Sequence, residues 1–255
     1  MILNEFDSDK EAILNPCDIV GRIKCENFPK IAVTCFDKKI FNYLVDELDA
    51  NIIAKLSNAN EKFQIYGAEY KNVNIALYMS DVGAPSAAAF LEEIYALGVE
   101  TVIMFGSCGV LDGSIEDSQI IIPSSAIRDE GLSYHYIPAA DEIEVNSKYV
   151  SEFINLIEET NMKYTIGKVW TTDAIYRETR EKMKRRKAQG CICVDMECSA
   201  MAAVAKFRNK EIFQFFYAED NLDSDEWDRR SLGSDLGIDN KYVVAKLAVK
   251  LATRI

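Results

Sequence analysis

Four short stretches of this 255-residue chain combine acids, hydroxyls and glycines in ways that could do chemistry, and each follows an apolar run. Gly106-Ser107-Cys108-Gly109 comes after TVIMF. Two glycines let backbone N–H groups close on an anion, and the Ser107 hydroxyl can donate as well; a tight turn would use the same residues. Met196-Glu197 follows CICVD and precedes an alanine-rich run, so the carboxylate stands between a buried strand and a buried helix. It needs partners there, and paired hydroxyls such as a ribose presents would serve. An acid in a first helical turn is also favoured by the macrodipole alone. Glu219-Asp220 follows EIFQFFYA, where a carboxyl group near apolar walls holds its proton more tightly and can act as a general acid. An Asx-turn is the alternative. Thr171-Thr172-Asp173 follows KYTIGKVW and caps a helix as readily as it touches a ligand.

Each of these stretches needs a strand to deliver it. IAVTCF reads as a buried strand, and FNYLVDEL continues with helical spacing. Strand-like FQIYGAEY and VNIALYMS lead through Gly83 to a helix from Pro85 to Leu97 that Gly98 closes. TVIMFG is a continuous apolar run, as in the centre of a parallel sheet, and is expected to end in a glycine turn. QIIIPSSAI, KYTIGKVW, CICVDM and EIFQFFYA read as further strands. SKYVSEFINLIEE, the basic REKMKRRKAQG, ECSAMAAVAKF and NKYVVAKLAVKLATRI read as helices. The alternation predicts one α/β domain over 1–255, a mixed β-sheet flanked by helices in an α/β/α sandwich. In such sheets ligands bind beyond the carboxyl ends of the strands, where all four stretches fall.

Composition narrows the function classes. A formal net charge of -12 repels polyanions, so no nucleic-acid partner is expected. The opening MILNEFDSDKEAIL carries acids where a secretory signal has a basic start, and no apolar run approaches the ~18 residues that cross a bilayer. A cytoplasmic protein away from membranes is expected. Seven cysteines without paired C-x-x-C spacing, and His135 as the one histidine, make no zinc constellation. No metal is expected, and Cys17, Cys25, Cys35, Cys108, Cys191, Cys193 and Cys198 read as mostly buried thiols.

Taken together and in order, SDVGAPSAAAFLEEIYALGVETVIMFGSCGVL, IRDEGLSYHYIP, WTTDAIYRET, VDMECSAMAAVAKF and FFYAEDNLDSDEW resemble the nucleoside phosphorylase family, which includes purine nucleoside phosphorylases, uridine phosphorylases and methylthioadenosine nucleosidases. The resemblance is clearest over residues 80–227. It implies a phosphorylase acting on a purine nucleoside, with phosphate as co-substrate, no cofactor, and a homo-oligomer, hexamer or dimer. Asp220 falls on the acid that protonates the purine ring, and Glu219 replaces the usual serine beside it, which makes a pair of coupled carboxylates. Glu197 falls on the residue that holds the ribose hydroxyls, with Met196 against the sugar. Ser107, in the Gly106 turn, falls on the phosphate site. Asp173, Ile175, Tyr176 and Arg177 fall where relatives wall the base; His135, in a segment similar to uridine phosphorylases, and Glu219 are candidate substrate contacts, with a structural role the alternative for His135.

The resemblance fails in places. Phosphate-using relatives carry an arginine three residues before the serine, where this chain has Met104. Their glycine-arginine loop after the first strand is replaced by TCFDKKIF, which leaves Lys38 and Lys39 as substitute cations; Lys62 is a third. An acid at position 220, and Thr179 and Glu181 in place of the glutamine and arginine of uridine phosphorylases, favour a purine. SYHYIP, with Arg177 or Arg180 free to read a carbonyl, keeps a pyrimidine open. Hydrolysis by water and nucleoside binding without catalysis are the other readings.

Overall fold

The apolar runs fold as strands and the periodic runs as helices, in the order α1 (Pro16–Val20), β1 (Ile31–Cys35), α2 (Lys38–Glu47), β2 (Asn51–Ser57), β3 (Lys62–Tyr70), β4 (Val73–Met79), α3 (Ala84–Ala96), β5 (Thr101–Val110), β6 (Ile120–Asp129), α4 (Ser133–Tyr136), β7 (Glu142–Glu144), α5 (Val150–Glu158), β8 (Tyr164–Thr172), α6 (Arg180–Ala188), β9 (Cys191–Asp195), α7 (Cys198–Arg208), β10 (Glu211–Asn221) and α8 (Ile238–Ala252). The structure, a computed structural model, describes residues 1–21, 23, 27–57 and 62–255. Cys25 lies outside the described residues; of the other cysteines, Cys17 is exposed and the rest are buried thiols.

The strands form one mixed sheet in the order β10-β6-β8-β9-β5-β1-β4-β3-β2, with β7 on β6. β10 also pairs with β5, so β5, β10, β6, β8 and β9 close into a ring while β1, β4, β3 and β2 extend from it. β5 is parallel to both β1 and β10 and is covered on both faces, which is why its sequence is an unbroken apolar run. Side chains alternate across it. Ile103 and Phe105 face a layer of α2, α5 and α8, whereas Val102 and Met104 face α1, α3 and α7. α7 is apolar all round and correspondingly buried; its alanines let it lie close to Ala84, Ala87 and Ala88 of α3.

The expected glycine turn after TVIMF is not there. β5 runs on through it, with Ser107 and Cys108 opposite Tyr217 and Ala218 of β10, and Gly109 and Val110 opposite Val194 and Cys193 of β9. Two partner strands offer this segment ladder hydrogen bonds that a turn would forgo. β10 likewise continues through Glu219 and Asp220, so the pair forms no Asx-turn. β2 and β7 were not among the expected strands: β2 is an edge with only Ala54 and Leu56 buried, and β7 is three residues long. α6 is basic and largely exposed as expected, but Met183 anchors it in a small core with Trp170 and Val194. Among the described residues no helix is long and apolar enough to cross a membrane.

Candidate active site

The ends of β5, β9 and β10 open into a cavity of ≈ 640 Å³, whose lining includes Ser107, Gly109, Asp195, Met196, Glu197 and Asp220. Three of the four chemistry-bearing stretches therefore converge from three strands. The fourth does not reach it: Thr171 and Thr172 are buried, and Asp173 is outside the lining, accepting the Gly131 N–H at 2.9 Å.

Glu197 sits at the junction between β9 and α7, 7% exposed. Its Oε1 accepts the backbone N–H of Gly83 at 2.5 Å, and Gly83 has φ +96, a conformation that favours glycine. Asp195, two residues earlier, caps the entrance to α7. Its Oδ2 accepts the N–H groups of Glu197 (2.9 Å) and Cys198 (2.6 Å), and its Oδ1 accepts the Thr171 hydroxyl (2.7 Å). Burial raises the pKa of both carboxyls, and the Asp195 charge raises Glu197 further. Three donors oppose the rise at Asp195, so it is the better solvated of the two. Glu197 is left facing the cavity with spare acceptor capacity, which suits a ligand with hydroxyl donors.

Asp220 reaches the cavity from β10, and its Oδ2 accepts the indole N–H of Trp227 at 2.8 Å. Gly109 makes room for it: a Cβ there would lie 3.1 Å from Asp220 Oδ1 and 2.6 Å from Leu222 Cδ1. Glu219 points the other way. It follows Phe213, Phe215 and Tyr217 onto the α8 face of β10 and forms a buried ion pair with Lys241. The expected coupled pair of neighbouring carboxylates is thus divided by the pleat of the strand.

Ser107 is exposed to the cavity, but Gly106 is not in its lining; a Cβ at Gly106 would meet the ring of Phe36 at 2.8 Å, so this glycine seats Phe36 at the cavity wall. Met104 is buried between β5 and the α3 and α7 layer. Lys38 and Lys39 open α2, beyond the end of β1 beside β5, yet neither lines the cavity, and Lys39 pairs with Asp235 at 2.6 Å. Lys62 is exposed at the start of β3, three strands from β5, and His135 is exposed in α4; neither lines the cavity.

Beyond β8, a 3-10 turn (Ile175–Arg177) supplies the outer wall. Ile175 and Tyr176 line it and Arg177 does not. Two further lining residues come from the same segment. Arg180 donates to the carbonyl oxygens of Ser224 (3.1 Å) and Asp225, tying this segment to the loop after β10. Glu178 is half-buried, and its carboxyl is lifted to about 7 by burial and then by the charges of Asp220 and Asp195, against the pull of Lys182. Sequence reading passed over Glu178 as a cavity residue, and also Trp227; the tryptophan in an acidic loop was the available signal for the second.

A family model described as the phosphorylase superfamily matches residues 30–255. The chain belongs to the phosphorylase superfamily. Relatives within reach of sequence comparison include the guanosine phosphorylase of Halorubrum lacusprofundi, 25% identical over 162 residues, and the uridine phosphorylase of Thermococcus kodakarensis, 28% identical over 157 residues. These alignments cover 62% and 56% of this chain and 64% and 55% of those proteins. The chain thus matches less than two thirds of the length of either. In three dimensions the superfamily fold extends over nearly the whole chain. The uridine phosphorylase of Vibrio fischeri superposes with a TM-score of 0.77 at 20% identity, over 94% of this chain and 97% of its own. Purine nucleoside phosphorylase of Toxoplasma gondii, in complex with immucillin-H, gives 0.75 at 16% identity, over 92% and 96%. As a superfamily member the chain has purine, guanosine and uridine phosphorylases among its homologues, and its mixed sheet flanked by helices matches the fold of the solved uridine and purine nucleoside phosphorylases.

Proposed function

We propose that this phosphorylase-superfamily protein cleaves the N-glycosidic bond of a purine nucleoside, with phosphate as the attacking nucleophile. The observation that carries the reading is the arrival of Glu197 and Asp220, from different strands, in one cavity that also holds Ser107. In the proposed step, Asp220 gives its proton to the purine ring nitrogen N7 as the electron pair of the glycosidic bond moves onto the base. A phosphate oxygen bonds to the anomeric carbon, giving ribose 1-phosphate and free base. Positive charge grows on the ribose as the bond lengthens, so a proton donor at the base and an anion at the sugar both stabilise the transition state more than the ground state. Glu197 accepts hydrogen bonds from the ribose hydroxyls, Met196 lies against the sugar, Ser107 donates to phosphate, and Ile175 and Tyr176 wall the base. No cofactor is required by this chemistry. The purine assignment is supported by the acid at position 220 and by Arg180 being occupied with backbone carbonyls rather than aimed at a pyrimidine.

A second reading, hydrolysis, has an observation of its own. Among the described lining residues Arg180 is the one cation, and Met104 is core. Lys38 and Lys39 would have to turn toward Ser107, or a second copy in a dimer or hexamer would have to bring a cation; the exposed Val82, Ile175, Tyr176 and Trp227 around the mouth are compatible with such a neighbour. Base release from inosine, adenosine, guanosine and uridine, measured with and without phosphate, tests both readings. Release that requires phosphate supports phosphorolysis. Release indifferent to phosphate replaces it with hydrolysis, and thermal stabilisation by nucleosides without any release leaves a binding protein.

A further inference from the structure

Trp227 is a large side chain held at the surface, 61% exposed, in the wall of the cavity that contains Asp220. Little packing holds it there; the loop that carries it does. Asn221 and Asp228 exchange backbone hydrogen bonds of 2.8 and 3.2 Å, which bring the two ends of residues 222–227 together. Between them Asp223 accepts the Gly113 N–H at 3.0 Å and pairs with Lys187, while Arg180 donates to the carbonyl oxygens of Ser224 and Asp225. These ties place Trp227, the last residue before the closing bridge, so that its indole N–H reaches Asp220 Oδ2 at 2.8 Å.

The bond divides the two oxygens of Asp220. Oδ2 is taken by the indole. Oδ1 lies beside Gly109, 3.1 Å from where a Cβ would stand, and among the described residues no other donor reaches the carboxyl. Gly109 lines the cavity, so the oxygen left open is the one at the cavity wall. An indole donates and does not accept, so Asp220 has no proton to lose to Trp227, and Oδ1 is left to address a ligand.

In the step proposed above, the proton leaves Asp220 for the purine ring and the electron pair of the O–H bond stays on the carboxylate. The indole N–H then donates to an anion, a bond roughly twice as strong as one to a neutral acceptor. It therefore strengthens as the transition state forms, which is the condition for raising kcat rather than tightening binding. We propose that Trp227 is a positioning residue for the general acid: it holds Oδ2, leaves Oδ1 to the base, and steadies the charge that the departing proton leaves behind. This rests on the nucleoside-cleaving reading above and adds a residue to its machinery. Indole and base bond the same carboxylate through different oxygens, so the ring acts through Asp220 as a donor.

The experiment compares the full-length protein with Trp227→Phe, which keeps a ring on the loop and removes the donor. Steady-state cleavage is measured with phosphate present on inosine or adenosine, whichever is the better substrate, and on 7-methylguanosine, whose base is already cationic and leaves without a proton. Expected is a fall in kcat of roughly five- to tenfold on the neutral nucleoside, the difference between a hydrogen bond to a charged and to a neutral acceptor, with KM changed less than about twofold. On 7-methylguanosine kcat should also change less than about twofold. A merely structural role for Trp227 would lower both substrates alike. Equal loss on both, an unchanged kcat on the neutral nucleoside, or an effect confined to KM overturns the proposal while leaving nucleoside cleavage intact. If the wild type does not cleave 7-methylguanosine, the split between kcat and KM on the neutral nucleoside decides. If Trp227→Phe does not fold, Arg180→Met, which frees the loop at Ser224 and Asp225, takes its place, and absence of the same selective fall in kcat is adverse. If the wild type cleaves no purine nucleoside, the cleavage reading itself fails and the positioning role falls with it.

Discussion

The backbone N–H of Gly83 lies 2.5 Å from Oε1 of Glu197, although the two are far apart in the chain. The bond fixes the carboxylate at the mouth of α7 against the entrance to α3, where Gly83 has a positive φ. Gly83→Ala keeps the N–H but strains the backbone, at a cost of about 1–3 kcal/mol for a side chain at a positive φ with an extended ψ. We expect a lower Tm and a raised KM for nucleoside with a smaller change in kcat, checked by thermal melts and steady-state kinetics.

Asp220 donates the proton in the proposed step, so Asp220→Asn should lower kcat for neutral purine nucleosides by about 10² to 10⁴, the range for a lost general acid. A nucleoside whose base is already cationic, such as 7-methylguanosine, needs no proton and should lose far less. Gly109→Ala gives a milder version of the same defect, since the new methyl group crowds Asp220 Oδ1 and Leu222. Equal loss on both substrates in Asp220→Asn would assign the residue to binding instead.

On the far face of the same strand, Lys241→Met leaves the Glu219 carboxylate buried without its partner. A loss of about 3–5 kcal/mol is expected for breaking such a pair from one side. The double variant Glu219→Leu with Lys241→Met should recover most of it, because neither charge then remains to be desolvated. Urea unfolding of the single and double variants measures this.

Glu178 binds its proton more tightly in the folded chain than in the unfolded one, because burial and then Asp220 and Asp195 lift its carboxyl from the usual 4.5 to about 7. Its contribution to stability is therefore full below about pH 4.5 and is lost as the pH rises toward 7. Glu178→Gln should flatten that part of the profile of Tm against pH, and a profile with the wild-type slope would remove Glu178 as its source.

How legible the molecule was in its sequence differs from element to element. The apolar runs that became β1, β5, β6, β9 and β10 were plain, because largely buried strands have no polar face to confuse the period. β2 was hidden by its edge position, which leaves it two buried side chains. Gly106 and Gly109 were readable as glycines that something must approach, but not as glycines approached by Phe36, Leu222 and Asp220 rather than by the backbone of a turn. Adjacent Glu219 and Asp220 looked like one acidic feature, and strand periodicity applied one residue further would have separated them. Ser107, Glu197 and Asp220 were found because each follows an apolar run. Glu178 sits in an irregular segment with no periodicity to orient it, and its position depends on how that segment folds back over β9 and β10.

The ring closed by β5, β10, β6, β8 and β9 has a consequence for how the cavity comes to exist. Its last strand to be synthesised, β10, is also the one that joins β5 to β6 and carries Asp220, more than a hundred residues after β5 begins. A nascent or truncated chain ending before Glu211 has Glu197 but an unclosed circle, and contacts so distant along the chain tend to form slowly. If the chain binds nucleosides as proposed, that competence should arrive in a single late event, and nucleoside-dependent protection from proteolysis would then serve as a clock for completion of the fold.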